Sequence, residues 1–211
     1  MIARISAFGL LAAALASAAA CSSSSGAGSA ATTCRPDGGT ESYPAETGCG
    51  TEPGNTIADY SFQGRLAGSS SPRQTIKLSD YYDPTGAKYS YMVVDVSAFW
   101  CSYCKQEAPE LASLNTKYGP KGVVFLTVVE QDDKRAVATD ADVDAWIQAY
   151  SLVTPAVSDP NQVLSAFFDP SSMPLNMIID LHTMQILKKF TSSGLPQVQA
   201  ELDTRLAGGT T

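Results

Sequence analysis

The stretch Met92–Leu111, MVVDVSAFWCSYCKQEAPEL, decides the fold. An apolar run from Met92 to Phe99, interrupted only by Asp95 and Ser97, ends at Trp100. Cys101 and Cys104 follow, and a helical pattern begins beside them. Strand, Cys-x-x-Cys and helix in that order point to dithiol redox chemistry. At the point where a strand hands over to a helix, the Cys101 sulfur meets unpaired backbone N–H groups. It also meets the positive end of the helix dipole, and both favour thiolate over thiol. Cys104, one turn on, is close enough to close a disulfide and too recessed to meet large substrates first.

Working outward, the run before the cysteines suits a strand covered on both faces. The helix after them is expected from Ser102 to about Tyr118, burying Ala108, Leu111, Leu114 and Tyr118, with a kink at Pro109. Lys121-Gly122 turns the chain into a second buried strand, Val123–Val129. On the N-terminal side, Tyr60–Leu66 and Gln74–Leu78 alternate as a hairpin or two edge strands. Thr139 and Asp142 form a capping-box pair for a helix over 139–150, with Val143, Trp146, Ile147 and Tyr150 on one face. A shorter helix is expected over Asp159–Phe168, begun by Asp159-Pro160. Asn176–Leu181 and Gln185–Phe190 read as antiparallel strands, and Pro196–Ala207 as a last helix. The fold class is therefore α/β, a central mixed sheet flanked by helices.

The chain has 211 residues, 44% hydrophobic and 17% charged, which suits one domain plus an extra segment. A net charge of −7 without a Lys/Arg cluster excludes the electrostatic footprint of a nucleic-acid binder. Residues 1–20 carry Arg4 as their only charge and an Ala/Leu-rich run, the pattern of a secretory signal. That run is short of the roughly 20 apolar residues a spanning helix needs. Ala18-Ala19-Ala20-Cys21, followed by Ser22–Ser25 and Gly26-Ala27-Gly28, resembles a bacterial lipoprotein lipobox. That resemblance implies a lipidated Cys21, a flexible tether over 21–33 and a membrane anchor, although Ala18 replaces the usual Leu. Ordinary cleavage after Ala-x-Ala is the competing reading. Both place the mature protein outside the cytoplasm, in the cell envelope facing the periplasm or exterior, or secreted.

Of five cysteines, a lipidated Cys21 leaves four. Cys34 pairs with Cys49 to staple a loop-rich extension over 34–56, and Cys101 pairs with Cys104. A staple closing about 15 residues contributes roughly 3 kcal/mol in the chain-entropy model. Zinc is the competing use of the first pair, but the spacing is far from paired Cys-x-x-Cys knuckles and no histidine is near. No metal and no cofactor are expected.

From about Ile57 to the end of the last helix, the 57–208 segment resembles a thioredoxin-fold protein, specifically the TlpA-like, membrane-anchored redoxins of bacterial envelopes. Trp100, Cys101, Cys104 and Lys105 match the family's Trp-Cys-x-x-Cys-Lys, and Pro109 its helix-kinking proline. Ile76-Lys77-Leu78-Ser79-Asp80 resembles its lead-in to the central strand. The resemblance implies that Asp95, six residues before Cys101, is a buried acid/base beneath the disulfide. An exposed strand-edge aspartate is the alternative. It implies that Met173-Pro174 is the cis-proline loop, although Leu175 departs from the small or hydroxyl residue that follows it in the family. The roughly 45 residues between Val129 and Pro174 leave room for the inserted helix of TlpA-like chains.

The function this implies is a thiol-disulfide oxidoreductase that reduces protein disulfides. Cys101 is the nucleophile, Cys104 the resolving thiol, and Trp100, Ser102, Tyr103, Met173 and Pro174 shape the substrate groove. Its partners are protein thiols and disulfides and an upstream membrane or soluble thiol donor. Ser102-Tyr103 does not reveal the direction of electron flow. A thiol peroxidase is one alternative, although Ala98 stands where peroxiredoxin sites resemble a Thr. The other is a copper-handling protein that uses both thiolates as soft ligands, although copper carriers on this fold resemble Cys-x-x-x-Cys with a distal histidine. His182 reads as a turn residue, Trp146 as core, and Lys105 and Glu107 as solvated helix-face residues.

Overall fold

The computed structural model describes Cys34, Tyr43, Pro44 and residues 48–208. The signal segment, Cys21 and the tether lie outside the described residues. The elements are β1 (Ser61–Arg65), β2 (Arg73–Lys77), β3 (Tyr91–Ala98), α1 (Ser102–Tyr118), β4 (Val123–Gln131), α2 (Asp140–Tyr150), β5 (Ala156–Ser158), β6 (Leu175–Asp180), β7 (Gln185–Thr191) and α3 (Leu195–Ala207). Among the described residues the strands form one mixed sheet in the order β2-β1-β5-β4-β3-β6-β7.

The near-continuous apolar run of β3 earns its central place. It lies parallel to β4 and antiparallel to β6, and from Met92 to Ala98 every residue is buried. Because successive side chains of a strand alternate faces, β3 feeds two cores. Val93 packs with Leu111, Leu114, Tyr118, Phe125, Ile178 and Val198 on the side of α1 and α3. Met92, Val94, Val96 and Ala98 join Leu126, Val128, Val143 and Trp146 on the side of α2. Gly122 makes the turn into β4 at φ 83, with Ser90 and the Lys88 carbonyl about its α-carbon, a conformation and space that disfavour a side chain.

The inserted helix α2 starts as its capping box dictates. The Asp142 carboxylate accepts the Thr139 N–H at 2.7 Å, and the Thr139 hydroxyl accepts the Asp142 N–H. Its Trp146 is fully buried and meets Phe99 edge-on, ring centroids 5.0 Å apart. The insertion thus buttresses Phe99, two places before Cys101.

The helix expected over Asp159–Phe168 is not formed. Ala156–Ser158 instead adds β5 to the free edge of β4, and only a short 3-10 helix follows, Val163–Phe167. Gln162 takes a left-handed conformation at φ 49, which interrupts any helix running on from Pro160. The Asp159 carboxylate accepts the Leu164 N–H at 2.9 Å. A hydrogen bond of this kind satisfies the backbone without α-helix.

The described part of the N-terminal extension packs into the domain. Cys34 and Cys49 are joined with their α-carbons 5.3 Å apart, and Cys34 is fully buried. The Tyr43 hydroxyl donates to the Ile57 carbonyl at 2.7 Å. Gly54 N–H donates to the Ile186 carbonyl, and Ile57 N–H to that of Met184.

Candidate active site

The end of β3 passes through Phe99 and Trp100 into α1, and Cys101 is the residue that caps the helix. Its backbone is extended, and its sulfur accepts the Cys104 N–H at 3.0 Å. The sulfur therefore occupies the position of an N-cap oxygen, where helix N–H groups and the helix dipole stabilise negative charge. The two cysteines are joined in the oxidised state with α-carbons 5.3 Å apart. Cys101 is 4% exposed and Cys104 fully buried, so both are buried and the first is the more accessible.

Asp95 and Ser97 project from β3 on the side of α1, beneath this helix start. Asp95 is 1% exposed, and the Ser97 hydroxyl reaches both carboxylate oxygens, at 3.1 and 3.0 Å. Burial pushes the Asp95 carboxyl up to about 7, the nearby Glu107 charge adds to this, and the Ser97 hydrogen bond opposes it. The alternative of an exposed strand-edge aspartate is thereby excluded.

Glu107 corrects the sequence reading. Instead of lying on a solvated helix face it is 5% exposed, pointing from α1 into the same polar layer. Its Oε2 accepts the Asn176 side-chain N–H at 2.8 Å and its Oε1 the Leu195 backbone N–H at 3.3 Å. Asn176 lies opposite Asp95 in the β3–β6 register. Burial raises the Glu107 carboxyl as well, and the Asn176 hydrogen bond counters it. One signal was available in the sequence. Glu107 and Ala108 stand three and four residues after Cys104 and next to Leu111 on the helical period, the inward face of α1.

The antiparallel pairing of β6 on β3 sets Leu175 opposite Val96, which brings Met173-Pro174 to the cysteine end of the sheet. This peptide bond is cis. Met173 is 4% exposed and Leu175 fully buried. Tyr103 stands out at 51% exposed, and Ser102 beside it is exposed too. The Trp100 indole N–H donates to the Gln131 side-chain oxygen at 2.8 Å. Arg135, from the loop after β4, lays its guanidinium over the Trp100 ring, 3.7 Å from the centroid. Neither Arg135 nor Gln131 was singled out from sequence, because only the β4 bulge and its loop bring them to Trp100. Lys105 is exposed, and His182 sits in the turn between β6 and β7, its Nδ1 2.9 Å from Asp180. Among the described residues no group of three or more His, Cys, Asp or Glu is placed to hold a metal ion.

Residues 53–186 match the AhpC/TSA family. No curated protein matches the chain. Among solved structures it is similar to a candidate thiol:disulfide interchange protein DsbE from Chlorobium tepidum, with 19% identity, TM-score 0.56, and coverage of 74% of this chain and 99% of that one. It is similar to the thioredoxin domain of a thiol-disulfide oxidoreductase from Bacteroides vulgatus, with 16% identity, TM-score 0.52, and coverage of 72% and 99%. The mitochondrial 2-Cys peroxiredoxin from Plasmodium falciparum is similar too, with 17% identity, TM-score 0.55, and coverage of 72% and 92%. At these identities the likeness establishes a shared thioredoxin fold.

Proposed function

Since this chain belongs to the AhpC/TSA family, oxidoreductases on a thioredoxin fold, we propose that it is an extracytoplasmic thiol-disulfide oxidoreductase that reduces protein disulfides through Cys101 and Cys104. The observation that carries this reading is a dithiol at a helix N-terminus above a buried carboxyl whose pKa lies near neutrality. In the reduced protein the Cys101 thiolate attacks one sulfur of a partner disulfide. A mixed disulfide forms, and the partner's other sulfur leaves as a thiolate that takes up a proton. Asp95, directly or through a water, accepts the Cys104 proton, and the Cys104 thiolate attacks the Cys101 sulfur. The partner departs as a dithiol, two electrons having passed from the enzyme, whose Cys101–Cys104 disulfide closes again. An upstream membrane or soluble thiol donor restores the dithiol.

The secretory pattern of residues 1–20, the Cys34–Cys49 disulfide and the lipobox-like Cys21 favour a location outside the cytoplasm, with a lipid anchor on Cys21. Trp100, Ser102, Tyr103, Met173 and Pro174 line the proposed groove.

Trapping tests the mechanism. Cys104→Ser should accumulate a stable mixed disulfide at Cys101 with a disulfide-bonded protein substrate, visible by intact mass, while Cys101→Ser should form none. An adduct that needs Cys104 and not Cys101 would reverse the assignment. Titration against glutathione buffers tests the direction: a potential near −270 mV, that of thioredoxin, supports reduction, whereas one near −120 mV points to oxidation or isomerisation. The family match and the peroxiredoxin likeness favour a second reading, a thiol peroxidase. Hydrogen peroxide turnover by Cys104→Ser but not by Cys101→Ser would replace the first reading with it.

A further inference from the structure

The loop between β4 and α2 is built to hold one cation above the active-site tryptophan. The β3–β4 register passes from Val129 opposite Ser97 to Gln131 opposite Ala98, so Glu130 is a bulge and is fully buried. The bulge sets Gln131 to accept the Phe99 N–H on its carbonyl at 3.0 Å and the Trp100 indole N–H on its side chain. A bridge from Gln131 to Val137 closes the loop. Within it the Asp132 carboxylate accepts the N–H groups of Lys134 and Ala136, both at 2.8 Å, which turns that charge onto the loop itself. Arg135 takes a left-handed backbone at φ 66, and its guanidinium stacks on Trp100 at 3.7 Å. Such a conformation is uncommon for a residue with a side chain, and here the surrounding hydrogen bonds hold it.

One face of the guanidinium lies on the indole, and the residue is exposed. Among the described residues Arg135 has no carboxylate partner, in a chain whose net charge is −7. Its edge keeps N–H donors in a planar fork suited to a carboxylate. Trp100 is the residue immediately before Cys101, so a polypeptide whose sulfur reaches Cys101 passes beside this fork. Lys134, its neighbour in the chain, and Lys105 on α1 are exposed, and Asp133 is the one exposed acid of the loop, Asp132 being half-buried.

We propose that Arg135 is a specificity residue for the reductase reaction: its guanidinium, seated on Trp100, selects polypeptide disulfides that carry an Asp or Glu close to the attacked cysteine. This deepens the oxidoreductase reading and rests on it. The test is reduction of three synthetic peptides with one disulfide each, their flanking residues Glu, Gln or Lys, by the full mature chain under a regenerating thiol. The wild type should show kcat/KM about fivefold higher for the Glu peptide than for the Gln peptide, the scale of one exposed charge pair. Added salt should erase the preference. Arg135→Gln should bring the two peptides together, and Arg135→Glu should turn the preference toward the Lys peptide. A merely structural role for the loop would lower all three rates in parallel. Parallel loss, or a wild-type preference that survives Arg135→Gln, overturns the proposal while leaving the oxidoreductase reading intact. If no peptide is reduced by the wild type, both fall together.

Discussion

Replacing Asp95 by Asn removes the proton-linked group beneath the cysteines and keeps its shape. In the folded protein the Asp95 carboxyl is buried and raised from 3.8 to about 7. A carboxyl raised on folding binds its proton more tightly in the native state, so its stabilisation is full below the unfolded value and is lost as pH rises through the native one. The whole difference corresponds to about 4 kcal/mol, of which about 3 kcal/mol is lost between pH 4.5 and 8.5. Asn cannot ionise, and its carbonyl oxygen still accepts the Ser97 hydroxyl. The assay is urea unfolding of the oxidised protein, followed by tryptophan fluorescence, at both pH values for wild type and Asp95→Asn. Carboxyls that do not interact with Asp95 contribute equally to both proteins, so their effects cancel when the variant is compared with wild type at each pH; Glu107, which does interact, adds to the difference in the same pH range. The expected result is that Asp95→Asn gains about 3 kcal/mol on wild type as pH goes from 4.5 to 8.5. A variant-minus-wild-type difference that does not change with pH would refute the reasoning. In turnover the same variant should slow release of the mixed disulfide by about 10²-fold or more, the usual worth of a positioned base.

Glu107→Gln removes a negative neighbour while keeping an oxygen for Asn176, so the Asp95 carboxyl should titrate lower. The rising limb of the pH profile for mixed-disulfide release should move to lower pH, measured by stopped-flow fluorescence. Trp146→Ala empties a fully buried site against Phe99 and Tyr150 and should cost about 3–5 kcal/mol in urea unfolding. Cys34→Ser with Cys49→Ser opens a link across 15 positions and should lower stability by about 3 kcal/mol. Its redox potential at Cys101–Cys104 should stay where it was.

Much of this architecture was legible because local rules and the tertiary solution agree. An apolar run of eight, the cysteine spacing and the capping box at Thr139 each specify their element without help from distant residues. The extent of α1, from Ser102 to Tyr118, and the antiparallel pairing of β6 with β7 follow in the same way. Where reading failed, distant partners decided. Ala156–Ser158 is too short to announce itself, and it is a strand because β4 on one side and β1 on the other offer it hydrogen bonds.

The same division runs through the site. Sequence alone determined where the two sulfurs stand, since Cys-x-x-Cys between strand and helix leaves them little choice of environment. Asp95 was marked out by its offset, and its burial follows from the apolar strand that carries it. Only the tertiary structure decided that Glu107 is a second buried carboxyl, because a glutamate on a helix is buried or solvated according to what packs against that face. Here the partners are Asn176 from β6 and the start of α3, 69 and 88 positions away. It likewise decided that Arg135 stands over Trp100, through a bulge at Glu130 that one chain position placed out of register. Covalent order dictates reactivity at the helix start, whereas the charges around it are set by long-range packing that no local pattern encodes.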